Sequence, residues 1–154
     1  MGVVVRPVLE SDLERWRELY RGYAEFYEVE LPDLEQLWRL ITDEGAVECF
    51  VAEVDGAVAG FAHVHEFVRP LDGGEGGYLD DLYVDPGSRG YGVGAALIEH
   101  LRDLARDRGW KVVRWITADD NVTAQRLYDR HARRTSWVTY ELAPDERGPG
   151  TPAG

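Results

Sequence analysis

The stretch that decides the fold is Ser88-Arg89-Gly90-Tyr91-Gly92-Val93-Gly94, which joins a predicted strand, residues 78–84, to a predicted helix, residues 93–108. Glycines at alternate positions let the backbone approach a ligand closely, and the first amides of a helix have no partner within the helix. Arg89 adds a full positive charge beside the partial positive charge of the helix N-terminus. Such a turn is typical of an anion site, in particular for a pyrophosphate, although some turns of this kind are only tight connections.

Two common phosphate-binding loops do not fit this turn. A Walker loop ends in Gly-Lys followed by Ser or Thr, whereas Gly94 is followed by Ala95 and Ala96. A dinucleotide-binding loop is followed about 20 residues later by an acidic residue, and this chain has Arg114 there. The turn therefore predicts an anion site of another kind.

Hydrophobic periodicity and turn residues predict the other elements. The Ser11 to Glu14 spacing predicts a capping box at the start of the first helix, and Asp55-Gly56 predicts a hairpin. Residues 71–77 are predicted to be a flexible glycine loop. The predicted strands are 3–8, 47–54, 57–67, 78–84, 111–117 and 137–142, and the predicted helices are 11–27, 32–44, 93–108 and 121–131.

The order of these elements predicts an α/β fold with one mixed sheet. Hairpins join antiparallel strands, whereas the strand, helix and strand over residues 78–117 form a right-handed crossover between parallel neighbours. We therefore predict a mostly antiparallel sheet that contains one parallel pair. It forms a single domain, residues 1–143, followed by a flexible Pro/Gly-rich tail, residues 144–154.

Charge and composition narrow the classes of partner. The 154 residues include 17 Lys and Arg against 29 Asp and Glu, a net charge of −12, which opposes binding to nucleic acid. The acidity lies in residues 1–85, with 20 acidic and 6 basic residues, and this part is suited to a cation or forms a solvated acidic face. No apolar run reaches the ~18 residues of a membrane span, so we expect a cytoplasmic protein without a membrane partner.

Two motifs together resemble the GNAT N-acetyltransferase superfamily. Arg89-x-x-Gly92-x-Gly94, preceded by Leu82-Tyr83-Val84-x-Pro86, is similar to its acetyl-CoA signature. Asn121-x-x-Ala124-x-x-Leu127-Tyr128 is similar to its downstream helix. The predicted element order also matches the GNAT fold over about residues 3–142. The resemblance implies six or seven strands, four helices, and a parallel pair that splays apart at the acetyl-CoA site.

The resemblance also implies the donor and the residues that bind it. Acetyl-CoA is the expected donor, with CoA as product. The implied binding residues are Leu82, Tyr83, Val84, Arg89, Gly90, Tyr91, Gly92, Val93, Gly94, Ala95, Asn121, Ala124 and Tyr128.

A finer resemblance points to the polyamine acetyltransferases. Residues 78–84 resemble their Tyr-Leu-Glu-Asp segment, except that Asp80 stands where Glu is usual. Residues 23–30 resemble their amine-binding region, with Tyr27, Glu28 and Glu30 as candidate contacts to a cationic acceptor. The alternative for this segment is a set of core aromatic residues with solvated acids between them.

Acetyl transfer to an amine requires a neutral amine, a donor for the oxyanion and a proton for the leaving thiolate. Because an alkylamine has a pKa of ~10.4, a base must remove its proton. The resemblance assigns this to Asp80, which we expect to act through water because its side chain is shorter than Glu. Asp81 points to the opposite face unless a bulge intervenes, and is an orienter or a second amine ligand. We expect backbone amides of residues 82–84 to stabilise the oxyanion and Tyr128 to protonate the thiolate.

The histidine and cysteine residues give little evidence for a metal site or a reactive thiol. His63 and His65 share one face of a strand, but a third ligand is lacking, so we predict polar residues beside the substrate cleft and no metal site. Cys49 has no cysteine partner and is expected to be buried and inert.

The sequence thus predicts an acetyl-CoA-dependent N-acetyltransferase acting on a small cationic primary amine such as a polyamine, in a ternary complex. Alternative acceptors are an amino acid, an aminoglycoside-like drug or a protein amino group. A non-catalytic CoA-binding module and, more distantly, a dinucleotide-binding enzyme are the other classes. The resemblance further implies a homodimer, formed through the final strands.

Overall fold

The computed structural model describes residues 2–145. The strands are β1 (Val3–Pro7), β2 (Glu48–Val54), β3 (Ala57–Arg69), β4 (Gly74–Val84) and β5 (Val113–Arg114), and the α-helices are α1 (Leu13–Phe26), α2 (Leu34–Thr42), α3 (Val93–Arg108) and α4 (Val122–Asp129). Within these described residues, every helix is too short or too polar to cross a membrane. The cytoplasmic location stays a prediction of the sequence.

The sheet has the predicted mixed topology. Five strands lie in the order β1-β2-β3-β4-β5, all antiparallel except for the parallel pair of β4 and β5. Helix α3 joins that pair, as the predicted crossover requires. The Asp55-Gly56 hairpin also forms, with φ of 51° and 80°, the positive values that a tight two-residue turn needs. The predicted α/β class with one mixed sheet is confirmed, with five strands among the described residues rather than six or seven.

Helices cover both faces of the sheet. On one face, α3 packs through Leu97 and Leu101 against a core that includes Phe50 and Val64. On the other face, the aromatic stripe of α1 packs on Phe61 and on helix α2. The buried members of that second cluster are Trp16, Leu19, Tyr20, Ile41, Cys49, Val51, Val58, Phe61 and Tyr83. Cys49 is buried as expected, and burial raises the pKa of its thiol.

The first helix begins differently from the prediction. Residues 10–12 form a short 3-10 turn, and α1 starts at Leu13, so the predicted capping box does not form. The Asp12 carboxylate instead accepts from the Leu9 amide at 2.7 Å and pairs with Arg6 at 2.7 Å. These contacts connect the start of α1 to the edge strand β1.

The prediction of a glycine loop at residues 71–77 is wrong over most of its length. Strand β3 reaches Arg69 and β4 already begins at Gly74. A Cβ on Gly77 would lie 2.3 Å from Cζ3 of Trp110, and one on Gly76 would lie 3.0 Å from the Val112 carbonyl oxygen. The glycines therefore make room for close packing in a strand rather than supply a turn.

The C-terminal part departs most from the prediction. β5 contains two paired residues instead of the predicted 111–117, and residues 137–142 form no strand. A strand needs a ladder partner, and the described part of this single chain places none beside residues 137–142. Of the predicted tail, residues 146–154 lie outside the described residues.

Candidate active site

The candidate site is a cleft where β4 and β5 separate. The two strands pair only at Gly77 with Val113 and at Tyr78 with Arg114, after which they diverge. The cleft is lined by Tyr23, Tyr27, Leu79, Asp80, Leu82, Trp115, Ile116, Thr117 and Tyr128. The predicted splay of the parallel pair is therefore present, with candidate catalytic side chains on its walls.

A β-bulge in β4 changes the directions of the two aspartates. His63 pairs with Asp81 and Val64 pairs with Leu79, which leaves Asp80 as the extra residue. His63 and His65 lie on one face of β3, and they contact Asp81 and Asp80 respectively, at 2.8 and 2.6 Å. The bulge thus brings both carboxylates to the same face, which regular alternation along the strand would forbid.

Asp81 is held by two donors from the protein. The Tyr23 hydroxyl donates to its Oδ1 over 2.7 Å, and Oδ2 lies 2.8 Å from Nδ1 of His63. Burial raises the pKa of Asp81, but the hydrogen bonds from His63 and Tyr23 outweigh burial, so the pKa lies below its ordinary value. Asp81 is therefore a fixed carboxylate with both oxygens engaged, which makes it a poor proton acceptor.

The contact with Trp16 determines the tautomer of His63. Trp16 Nε1 lies 3.0 Å from Nε2 of His63, and an indole nitrogen can only donate. Nε2 must then be unprotonated, so Nδ1 carries the proton and donates it to Asp81. His63 is 1% exposed and has both ring nitrogens engaged, which makes it a structural member of this network.

Asp80, which lines the cleft, forms a second carboxylate–imidazole pair with His65, which borders a separate hollow. Their side chains are 33% and 37% exposed, in contrast to the buried His63. Among the described residues, no protein group donates to Oδ1 of Asp80. Asp80 thus keeps one oxygen for a ligand or for water.

Backbone amides of β4 face the gap between the strands. The Asp85 amide donates to the Ala59 carbonyl at 2.8 Å, which fixes the alternation of the ladder with β3. By that alternation the Tyr83 amide faces β3, whereas the amides of Leu82 and Val84 face the side from which β5 has diverged. Two of the three amides predicted as oxyanion donors therefore have the required direction.

Tyr128 reaches the cleft from helix α4. Its ring packs edge-on against Trp115, with centroids 5.3 Å apart. Burial raises the pKa of Tyr128 to about 12, and proximity to Tyr27 adds to this. The phenol is therefore protonated at neutral pH and carries a proton that it can offer.

The glycine turn has the predicted open amides. Gly90 and Gly92 adopt φ of 89° and 79°, which glycine tolerates best. In the described structure, no protein carbonyl or side chain accepts a hydrogen bond from the amides between Gly90 and Ala95. Arg89 directly precedes these amides in the chain, and its guanidinium lies 5.5 Å above the Phe26 ring. Open amides, a helix N-terminus and a nearby cation fit the pyrophosphate of a coenzyme.

The second motif, residues 121–128, forms the N-cap and most of helix α4. The Asn121 side chain caps α4 by accepting from the Ala124 amide at 3.3 Å, and its hydrogen bond with the Tyr27 hydroxyl opposes the rise in the pKa of that hydroxyl. A Cβ on Gly94 would lie 2.8 Å from Leu127 Cδ2, so α3 and α4 need glycine for their close approach. The motif thus positions Tyr128.

The structure does not bring the three predicted acceptor contacts together in the cleft. Tyr27 lines the cleft, and burial raises the pKa of its hydroxyl. Glu28 and Glu30 are exposed beyond the end of α1 and do not line the cleft. The structure brings in Tyr23 and Trp115 instead, which the sequence analysis did not select. Tyr23 begins the segment 23–30 that the resemblance marks as an amine-binding region, and its hydroxyl was the available signal.

The fold, the split strands and the open glycine turn all agree with one family. The family model described as acetyltransferase (GNAT) family matches residues 13–132. The chain belongs to the GNAT acetyltransferase family. As a GNAT protein it is an acyltransferase, and acetyl-CoA is the acetyl donor of this family.

Similar proteins cover nearly the whole GNAT chain. A D-amino-acid N-acetyltransferase of Saccharomyces cerevisiae is 31% identical, over 90% of this chain and 89% of its own length. An aminoglycoside N(6')-acetyltransferase of Stenotrophomonas maltophilia is 31% identical, over 92% and 94%. A thialysine N-epsilon-acetyltransferase of Bos taurus is 30% identical, over 82% and 81%.

A solved structure agrees with this assignment. The ribosomal-protein-alanine N-acetyltransferase from Brucella melitensis biovar Abortus 2308 superposes with a TM-score of 0.80 at 27% identity, over 93% of this chain and 99% of its own. Together these proteins support N-acetyl transfer, while their acceptors are diverse. The polyamine branch suggested by residues 78–84 stays a prediction.

Proposed function

We propose that this GNAT enzyme transfers an acetyl group from acetyl-CoA directly to a primary amine of a small cationic acceptor, in a ternary complex. The observation that carries the proposal is the cleft between β4 and β5, where Asp80 and Tyr128 lie on walls formed by different elements. A base and an acid on one cleft are the two groups that amide formation from a thioester needs.

The coenzyme is assigned to the glycine turn and the neighbouring strand. Amides from residue 90 to 95, with Arg89, bind the pyrophosphate, and the Asn121 side chain contacts the pantetheine. The amides of Leu82 and Val84 stabilise the oxyanion. The open direction of these amides supports this assignment.

The reaction assigns one role to each side chain. The acceptor ammonium loses its proton at Asp80, and the neutral nitrogen attacks the thioester carbonyl carbon. The carbon–sulfur bond then breaks, and Tyr128 gives its proton to the departing thiolate. Asp81 is assigned to positioning, because both of its oxygens already accept hydrogen bonds.

The charge of the cleft supports a cationic acceptor. Asp80 lines it, Asp81 lies behind it, and in the described residues no Lys or Arg side chain lines it. The rings of Tyr23 and Tyr27 can contact the methylenes of an amine and attract its positive charge. A polyamine fits this description. An amino acid or aminoglycoside acceptor is the second candidate, favoured by the activities for which the relatives above are named.

A homodimer is part of the proposal. Trp137, Val138, Tyr140 and Leu142 are 83%, 75%, 92% and 87% exposed, an apolar segment that a single chain leaves uncovered. Among the described residues β5 has β4 as its only neighbouring strand, which leaves the outer edge of β5 unpaired there. Light scattering on wild type and on Tyr140→Glu tests this, with a dimer expected for the first and a monomer for the second.

The enzyme assay measures thiol release from acetyl-CoA with a panel of amines. Turnover with spermidine supports the first acceptor class, and turnover with amino acids or an aminoglycoside supports the second. A melting temperature raised by CoA without turnover on any amine would identify a binding module instead. A shift with NAD but not with CoA would overturn the whole assignment.

A further inference from the structure

The pair of Asp80 and His65 has a geometry that the proposed function does not use. Nδ1 of His65 lies 2.6 Å from Oδ2 of Asp80, so one proton is shared between them. Because an ionised carboxylate only accepts, this proton belongs on Nδ1, and the neutral ring then has its lone pair at Nε2. In the neighbouring pair the equivalent Nε2 accepts from Trp16, whereas in the described residues His65 has no such donor.

We propose that His65, rather than Asp80, takes up the proton of the acceptor amine, and that Asp80 fixes the tautomer and orientation of His65. This replaces the base that the proposed function assigns to Asp80. The inference rests on the proposed function, since it concerns the proton that the acceptor amine must lose. Asp80 binds the ammonium group at the cleft wall. Nε2 of His65 then receives the proton through solvent.

The proton balance of this step is complete. The ammonium N–H bond breaks, the proton forms an N–H bond at Nε2, and the ring becomes an imidazolium held by the Asp80 carboxylate. The imidazolium returns the proton to bulk water through its exposed edge, and the side chain is 37% exposed. The ring can accept this proton at Nε2 while its Nδ1–H stays hydrogen-bonded to the carboxylate.

Four other ionisable groups lie near His65, one on β4 and three around a hollow on its other side. Tyr78 on β4 packs its ring 5.5 Å from the imidazole. On the other side, His65 borders a hollow with Glu48, Glu66 and Arg108. Arg108 pairs with Glu48 at 2.7 Å, and Glu66 accepts from the Trp110 indole at 2.6 Å. Asp80 is therefore the one carboxylate in direct contact with the ring among the described residues.

The test compares His65→Gln with wild type in thiol-release assays, using the best amine of the panel. Gln can still donate to Asp80 but cannot take up a proton. We expect kcat at pH 7 to fall about 100-fold, with the CoA-induced melting shift unchanged. The acid limb of the kcat profile should be lost or move by more than about one pH unit. Imidazole added to His65→Ala should restore part of the rate.

The matched control is His131→Gln. His131 forms the same kind of pair, with Nδ1 2.8 Å from Oε1 of Glu99, but neither residue lines the cleft. The control should keep wild-type kcat and pH dependence. A His65→Gln enzyme with wild-type kcat, or with lower kcat and an unchanged pH profile, would overturn the proposal. If wild type itself acetylates no amine, the proposed function fails instead, so the two failures are distinguishable.

Discussion

Removal of the Tyr23 hydroxyl tests how strongly the network below the cleft holds Asp81. In Tyr23→Phe the ring keeps its neighbours Tyr20 and Tyr27, at centroid distances of 5.4 and 4.8 Å, but the 2.7 Å hydrogen bond to Asp81 is lost. A hydrogen bond to a charged group contributes about 1.5–3 kcal/mol. Because the Asp81 side chain is 19% exposed, water replaces part of this contact. We expect the free energy of unfolding to fall by about 2 kcal/mol at pH 7.

The sign of the pH dependence follows from the pKa of Asp81. Burial raises this pKa, but the hydrogen bonds from His63 and Tyr23 hold it below its ordinary value. The stabilisation is therefore complete above the unfolded pKa of ~3.9 and is lost as the pH falls through the lower folded value. The difference in stability between Tyr23→Phe and wild type should shrink as the pH is lowered from about 5 to about 2.

Urea titrations followed by tryptophan fluorescence at neutral and acidic pH measure both quantities. Tyr91→Phe is the control, because Tyr91 is 48% exposed and its hydroxyl makes no hydrogen bond within the described residues. The control should stay within about 0.5 kcal/mol of wild type. An equally small change in Tyr23→Phe at pH 7, or an equal loss at both pH values, would refute the reasoning.

Three further changes test the packing and the chemistry. Gly77→Ala places a Cβ 2.3 Å from the buried Trp110 and should cost about 1–3 kcal/mol in urea titrations, whereas Gly87→Ala, 3.8 Å from its nearest neighbour, should be nearly neutral. Burial lowers the pKa of His100, whose Nε2 has no partner in the described residues, so wild type loses stability below about pH 6.5. His100→Leu should therefore raise the melting temperature more at pH 5.5 than at pH 8, and an equal gain at both would contradict this. Tyr128→Phe should lower kcat about 100-fold without changing CoA affinity, and an unchanged kcat would remove its role as acid.

Local signals in the sequence predicted those parts of the fold that depend on local geometry. Asp55-Gly56 requires positive φ values that fit a hairpin, and the helix between β4 and β5 forces a parallel pair. The loop prediction for residues 71–77 was wrong from Gly74 onward because glycine composition indicates turns, whereas here the ring of Trp110 occupies the space of a side chain at Gly77. The strand prediction for residues 137–142 was wrong because alternating apolar residues indicate a strand but do not show whether a neighbouring strand is present to pair with it.

The candidate site was predicted in its residue types but not in its contacts. The resemblance selected Asp80, Asp81 and Tyr128, of which Asp80 and Tyr128 line the cleft; their catalytic roles stay predictions. The bulge at Asp80 could not be predicted, since it is a property of the register between β3 and β4. Without the bulge, one aspartate would point away from both histidines, and the pair of Asp80 and His65 would not form.

Two similar pairs in one sheet acquire different roles through their surroundings. His63 is enclosed, and Trp16 donates to its Nε2, so a further proton could bind only by breaking that 3.0 Å contact. His65 lies two residues along the same strand, half-exposed, with its carboxylate partner on the cleft wall. Differences in burial and hydrogen bonding can thus give two identical side chains different roles in one fold, one structural and one chemical. A side chain that donated a hydrogen bond to Nε2 of His65 should therefore prevent this atom from taking up a proton, as Trp16 does for His63. The fold should be retained and turnover lost.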